Sequence, residues 1–206
     1  MGGGSTAMVE IEYLESTGTQ YIKTPIIPIN SYVWISFRFR WVGNTTNKFE
    51  TVFGFIKQSN LNRITFNKYQ GKWMFGYNST VSMNSVDSNI HDVLISRYGE
   101  GNSAYFFCDI DNIRRGENKI NAGQESLQIY LFGRNQSGTS VDNLSEIQLM
   151  SFHAKIYSDT MLQELVNEYD YIPVRIGQIG YMYDRISGQL LGNDGTGDFV
   201  IGPDKT

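Results

Sequence analysis

Hydrophobic and polar side chains alternate with a period of two along much of this chain, most clearly from Tyr32 to Trp41. Val33, Ile35, Phe37, Phe39 and Trp41 fall on one side of an extended backbone, with Trp34, Ser36, Arg38 and Arg40 on the other. Successive side chains of a strand point to opposite faces, whereas a helix would scatter the two sets around its axis. The pattern predicts a strand with one face in a core. Shorter strands are predicted at Thr51 to Ile56, Arg63 to Tyr69 and Lys72 to Tyr77. Gln70-Gly71 between the last two reads as a hairpin turn, because glycine accepts the positive φ such turns require. His91 to Tyr98 and Ala104 to Ile110 predict another hairpin, with Asp109-Ile-Asp-Asn as the turn that follows. Leu127 to Phe132 and Ile147 to Tyr157 are the last long strands, separated by a polar loop from Gly133 to Ser140.

One segment breaks this pattern. Between Ser158 and Asp170, Met161, Leu162, Leu165, Val166 and Tyr169 recur at i, i+3 and i+4, the spacing of one helical stripe. Ser158 or Asp159 would cap the N-terminus, and Asp159 also complements the positive end of the helix dipole. Pro173 would stop any continuation, since the residue before proline is pushed out of helical geometry. A short helix over 159–169, lying across the sheets, is the expectation.

The composition supports a β protein: aromatics are 14% of residues, with 13 Tyr and 12 Phe, and aromatic side chains favour strands. At 206 residues the chain suits one core better than two. The expected layout is a flexible Gly-rich leader over 1–8 and a single domain over 9–206. A net charge of −4 without a basic stripe argues against a nucleic-acid partner. The start, Met1-Gly-Gly-Gly-Ser-Thr-Ala, has neither the basic nor the apolar region of a signal peptide. No apolar run approaches the ~18 residues of a membrane span, so no membrane partner is expected. Cys108 is the sole cysteine, which rules out an intrachain disulfide.

Two motifs near the ends are more specific. The first is Tyr13-Leu-Glu-Ser-Thr-Gly-Thr-Gln-Tyr-Ile-Lys-Thr; the second runs from Tyr171-Ile-Pro-Val-Arg through Gly180-Tyr-Met-Tyr-Asp to Phe199-Val-Ile-Gly-Pro. Together they resemble the ends of the LamG-like, concanavalin A-like lectin/glucanase jelly-roll family, found among phage and prophage structural proteins and gut Bacteroidales surface proteins. The resemblance implies an all-β, two-sheet antiparallel jelly-roll sandwich, here with the one short helix. It also implies that the C-terminal element closes the sandwich beside the N-terminal strand. Gly188, Gly192, Gly195 and Gly197 then serve tight turns. Asn193-Asp-Gly-Thr-Gly is no nucleotide loop, for it has no Lys-Ser/Thr pair and opens no helix.

The sequence offers little for catalysis. Hydrolases of this fold carry alternating carboxylates on one strand, and no Glu-x-Asp-x-x-Glu occurs. Glu10 and Glu12 belong on a solvent face, and Asp109 and Asp111 on a turn. His91 and His153 are the only histidines, and there is no Gly-x-Ser-x-Gly elbow. One Cys and two His are too few for zinc. No cofactor is expected; calcium stays open through Asp184, Asn193, Asp194 and Asp198, although no EF-hand spacing supports it. No metal site is assigned from the sequence.

Binding chemistry is easier to find. Sugar recognition needs an aromatic platform and planar hydrogen-bonding groups, and Trp34, Arg38 and Arg40 share the strand face opposite the core stripe. The competing reading packs Trp34 beneath a loop or the helix and leaves both arginines solvated. Arg134 and Asn135, with Gln136 beside them in the polar loop, form a second candidate.

The resemblance and the missing catalytic groups favour a non-enzymatic virion structural, decoration or tail-associated protein that attaches to surface glycans. Its expected partners are a surface polysaccharide, other virion proteins and further copies of itself. Its expected location is a virion surface. A bacterial cell-surface polysaccharide-binding adhesin is the alternative, and a diverged glycoside hydrolase ranks third.

Overall fold

A computed structural model describes residues 7–28, 32–43, 48–57, 62–77, 79–85, 87–99, 104–119, 127–158 and 162–206. Strands β1 (Met8–Glu10), β2 (Leu14–Glu15) and β3 (Ile22–Lys23) precede the long β4 (Val33–Trp41). Then come β5 (Glu50–Lys57), β6 (Asn62–Tyr69), β7 (Lys72–Tyr77), β8 (Ser79–Ser85) and β9 (Ile90–Tyr98). The middle of the chain gives β10 (Tyr105–Ile110), β11 (Ile113–Lys119), β12 (Tyr130–Leu131), β13 (Arg134–Gln136) and β14 (Ser140–Asp142). The last are β15 (Ile147–Tyr157), β16 (Leu165–Ile176), β17 (Ile179–Asp184), β18 (Leu190–Leu191) and β19 (Val200–Ile201).

They form the two sheets of a jelly-roll sandwich. The larger is ordered β11-β10-β9-β4-β15-β16-β17-β18, with β1 on β16 and β2 between β15 and β19. The smaller is ordered β14-β13-β5-β6-β7-β8, and β12 bridges β5 and β3. Pairing is antiparallel throughout, save for the short parallel match of β13 with β5. The end motifs meet as the resemblance implies: Leu14 and Glu15 pair with Ile201 and Val200.

Alternation on β4 sets the interior. Val33, Ile35, Phe37, Phe39 and Trp41 are buried, while Arg38 and Arg40 are exposed. Across the sheets, Phe37 lies 5.2 Å from both Phe53 and Phe66, ring centre to ring centre. Edge-on aromatic contacts of this kind add to the gain from burial. At Gly54, φ is +145° and a Cβ would lie 2.2 Å from the Ile64 carbonyl oxygen, so the β5–β6 contact requires glycine. The Gln70-Gly71 turn has positive φ at both residues, as its sequence predicts.

Two expectations are corrected. No helix forms among the described residues, and 162–169 is not part of one. Leu165 to Tyr169 instead begin β16, which pairs with β15 through Phe152↔Tyr171 and Lys155↔Glu168. Leu165 and Val166, assigned to an apolar stripe, are exposed, and Leu162 has a positive φ of 55°, incompatible with a helix interior. The helical spacing was a coincidence; residues 159–161 themselves lie outside the described segments. The polar loop from Gly133 to Ser140 is likewise a hairpin, β13 to β14, turning at Ser137-Gly138 with positive φ at both. The Leu127 to Phe132 strand is regular only at Tyr130–Leu131. Of the proposed leader, residues 1–6 lie outside the described segments, whereas Met8 already pairs with Ile176.

Candidate functional site

The outer face of the larger sheet carries the polar half of the β4 alternation. Register places Arg38 between Ser151 of β15 and Asp92 of β9, and Ser36 between His153 and Leu94. Leu94 in turn faces Asp109 of β10. These rows enclose a cavity of about 240 Å3 lined by Trp34, Ser36, Asp92, Leu94, Asp109, Asn112 and Ser151, with Phe37 and Val93 beneath. Ligand pockets commonly run ~300–1,000 Å3, so this one suits a single small ring.

Trp34 is half-buried rather than packed in the core. From the β15 side it meets the His153 ring edge-on at 5.1 Å, and the Lys155 ammonium lies 5.4 Å from its centre. His153 Nε2 is 2.7 Å from Glu168 Oε1, and that hydrogen bond holds the Glu168 carboxyl below its ordinary range. The indole is thus braced on one side and borders the cavity on the other.

The cations around the cavity are matched by anions. Arg38 Nε lies 3.8 Å from Asp92 Oδ1 in an exposed pair. Arg114 Nε donates to Asp109 Oδ1 at 2.5 Å, while its guanidinium stacks 3.8 Å from the centre of the Phe107 ring. Arg40 turns away and donates to the Ser88 carbonyl at 3.0 Å.

The structure does not bring the second predicted pair to this face. Arg134 and Asn135 lie on β13 of the smaller sheet. Arg134 donates twice to Asp142, at 2.8 and 2.6 Å. Asn135 is buried, with its amide donating to the Gln128 carbonyl and its oxygen accepting from Gly138 N–H. Both brace the hairpin. Asp92, Asp109, Asn112 and Ser151 were not singled out as binding residues. The outward position of Asp92 on β9 was readable from the inward run Val93, Ile95, but the meeting of these four residues with Trp34 depends on register.

The calcium candidates have local partners. Asp184 is buried and accepts from Asp170 N–H, Ile186 N–H and the Ser187 hydroxyl. Asn193 accepts from Tyr21 and Gly195 N–H groups, and Asp194 from Lys23 N–H. Among the described residues no group of three or more His, Cys, Asp or Glu stands where it could hold a metal ion. Cys108 is fully buried, and desolvation pushes its thiol far up, so it is no nucleophile.

One clamp holds the cavity's far wall. His91 Nδ1 is 2.8 Å from Asp111 Oδ2 and Nε2 is 2.9 Å from Asp87 Oδ1. Asp111 Oδ1 also accepts from Asp92 N–H at 3.0 Å, tying the Asp111-Asn112 turn to β9. Burial would lower the His91 pKa, but the hydrogen bonds and charges of Asp111 and Asp87 outweigh it and raise the value. A raised imidazole value means that the charged clamp contributes fully below the ordinary 6.5 and is lost as pH rises through the folded value. Melting temperature is therefore expected to step down above pH 6.5. The His91→Gln variant should flatten that step; an unchanged profile would remove the clamp's role.

No family model matches this chain, and no curated protein matches it. Among solved structures it is similar to the CBM40 of a Ruminococcus gnavus IT-sialidase, with 10% identity and a TM-score of 0.46. That similarity covers 71% of this chain and 91% of the other. A second similar structure is the same CBM40 bound to α2,3-sialyllactose, with 11% identity, a TM-score of 0.43 and the same coverage. The two-sheet assignment rests on this chain's own strand pairing.

Proposed function

We propose that this chain is a non-enzymatic, lectin-like module that holds a glycan at the Trp34 cavity. The observation that carries the proposal is a half-exposed tryptophan on the outer sheet face, beside a ring-sized cavity edged by carboxylate, hydroxyl and amide groups. A pyranose has an apolar face and polar edges, and this combination complements both. Arg38 stands at the rim, and Arg40 lies beyond it. Each cavity carboxylate faces a guanidinium, and Asp92 is 63% exposed. A glycosidase acid is instead buried among apolar groups, which favours binding over turnover.

The setting we propose is the surface of a phage particle, among other virion proteins and copies of this chain. Its support is the resemblance of the two end motifs. Antibody labelling of purified particles tests it, and particles without label would reject it.

Trp34→Ala is expected to weaken binding by roughly 30-fold, the equivalent of the ~2 kcal/mol that a central interface tryptophan contributes. The melting temperature should change little, because Trp34 lies outside the core. A glycan array with the native chain, followed by titration calorimetry on both proteins, makes the measurement. Equal binding by the two would reject the cavity as the site.

A further inference from the structure

Resting on that reading, we infer that the Trp34 cavity selects uncharged sugars and excludes those bearing carboxylate, sulfate or phosphate. Among the described residues the charged side chains lining the cavity are Asp92 and Asp109, with no lysine or arginine. The neighbouring cations are already engaged, Arg114 with Asp109 itself. Arg114 is drawn over Phe107 and also reaches Glu117 Oε2 at 3.4 Å. Lys155 stands across Trp34, 3.5 Å from Glu168, and Arg40 is bound to the Ser88 carbonyl. Arg38 reaches the rim, but its nearest charge is Asp92 at 3.8 Å.

An ionised carboxylate only accepts hydrogen bonds, so its natural partner is a donor. Arg114 occupies Oδ1 of Asp109, while Oδ2 has no donor among the described residues. The Asp92 carboxylate likewise has no donor within hydrogen-bond distance there, Arg38 being too far. Sugar hydroxyls supply such donors, and Ser36, Ser151 and Asn112 add groups that donate or accept. An acidic substituent in the same space supplies only acceptors and meets two carboxylates, of which only Asp109 has a guanidinium in close contact. That arrangement is repulsive and leaves carboxylates unpaired, a recognised source of discrimination. Trp34 serves charged and uncharged rings alike, so the selectivity resides in the two aspartates.

The test uses the whole chain against matched pairs: lactose with sialyllactose, and neutral gluco- and galacto-oligosaccharides with their uronate or sulfated counterparts. Neutral members are expected to bind at least tenfold more tightly than their acidic partners. Affinity for the neutral members should be nearly independent of salt. The double variant Asp92→Asn/Asp109→Asn, checked for an unchanged circular dichroism spectrum, should bring the two members of a pair to within a few-fold. Acidic members bound as well as or better than neutral ones, with binding still lost in Trp34→Ala, would overturn the selectivity and leave the glycan site standing. No binding to any sugar would remove both.

Discussion

Replacing Glu50 with glutamine is expected to cost about 3–5 kcal/mol of folding stability, the usual penalty for removing one partner of a buried ion pair. Glu50 and Lys68 face each other at the β5–β6 end, 3.0 Å apart, with side chains 0% and 4% exposed. The ammonium also lies 4.1 Å from the centre of the Trp41 ring. Taking away the carboxylate leaves that cation in the interior, with an aromatic face as poor compensation for lost water. The pair as a whole is a different matter. Glu50→Leu together with Lys68→Met removes both charges while keeping volume, and should unfold within about 1 kcal/mol of the native protein. Urea titrations of the single and double variants separate these outcomes. A single variant as stable as the native chain would show the site to be hydrated.

Phe37→Ala is the other large effect, about 3–5 kcal/mol, from lost burial plus the cavity left behind. Phe37 is the hub of the aromatic core: its ring lies 5.4 Å from Phe39, 5.2 Å from Phe53 and Phe66, and 6.1 Å from Phe152. These partners come from both sheets, so the deletion loosens the contact between layers as well as one strand. Phe37→Leu keeps most of the volume and should cost less than about 1.5 kcal/mol. Denaturant midpoints for both variants provide the measurement. A loss under about 1 kcal/mol for the alanine variant would mean the sheets do not meet at Phe37.

What could be read from the residues divides along a physical line. The inward face of β4 and the Gln70-Gly71 turn were legible, because strand alternation and positive-φ turns leave local traces. The joining of the two ends was legible only through the family resemblance of the end motifs. The helix over 159–169 was misread for a related reason. Met161 to Tyr169 satisfy helical spacing, yet β16 is a strand because β15 offers it a paired edge, and tertiary pairing overrides local pattern. The same limit governs the site. Trp34 announced itself by standing on the polar side of its strand. Asp92 and Asp109 lie on strands remote in sequence and reach it only through cross-strand register. Arg134 and Asn135 looked free in a polar stretch, but their side chains are engaged in holding a hairpin.

The pairing of Leu14 and Glu15 with Ile201 and Val200 bears on how the molecule is made. Strand β2 lies between β15 and β19, so Leu14 and Glu15 find both neighbours only once the chain through Ile201 has been made. Contacts this remote in sequence are slow to form, and strand edges exposed meanwhile invite association between nascent chains.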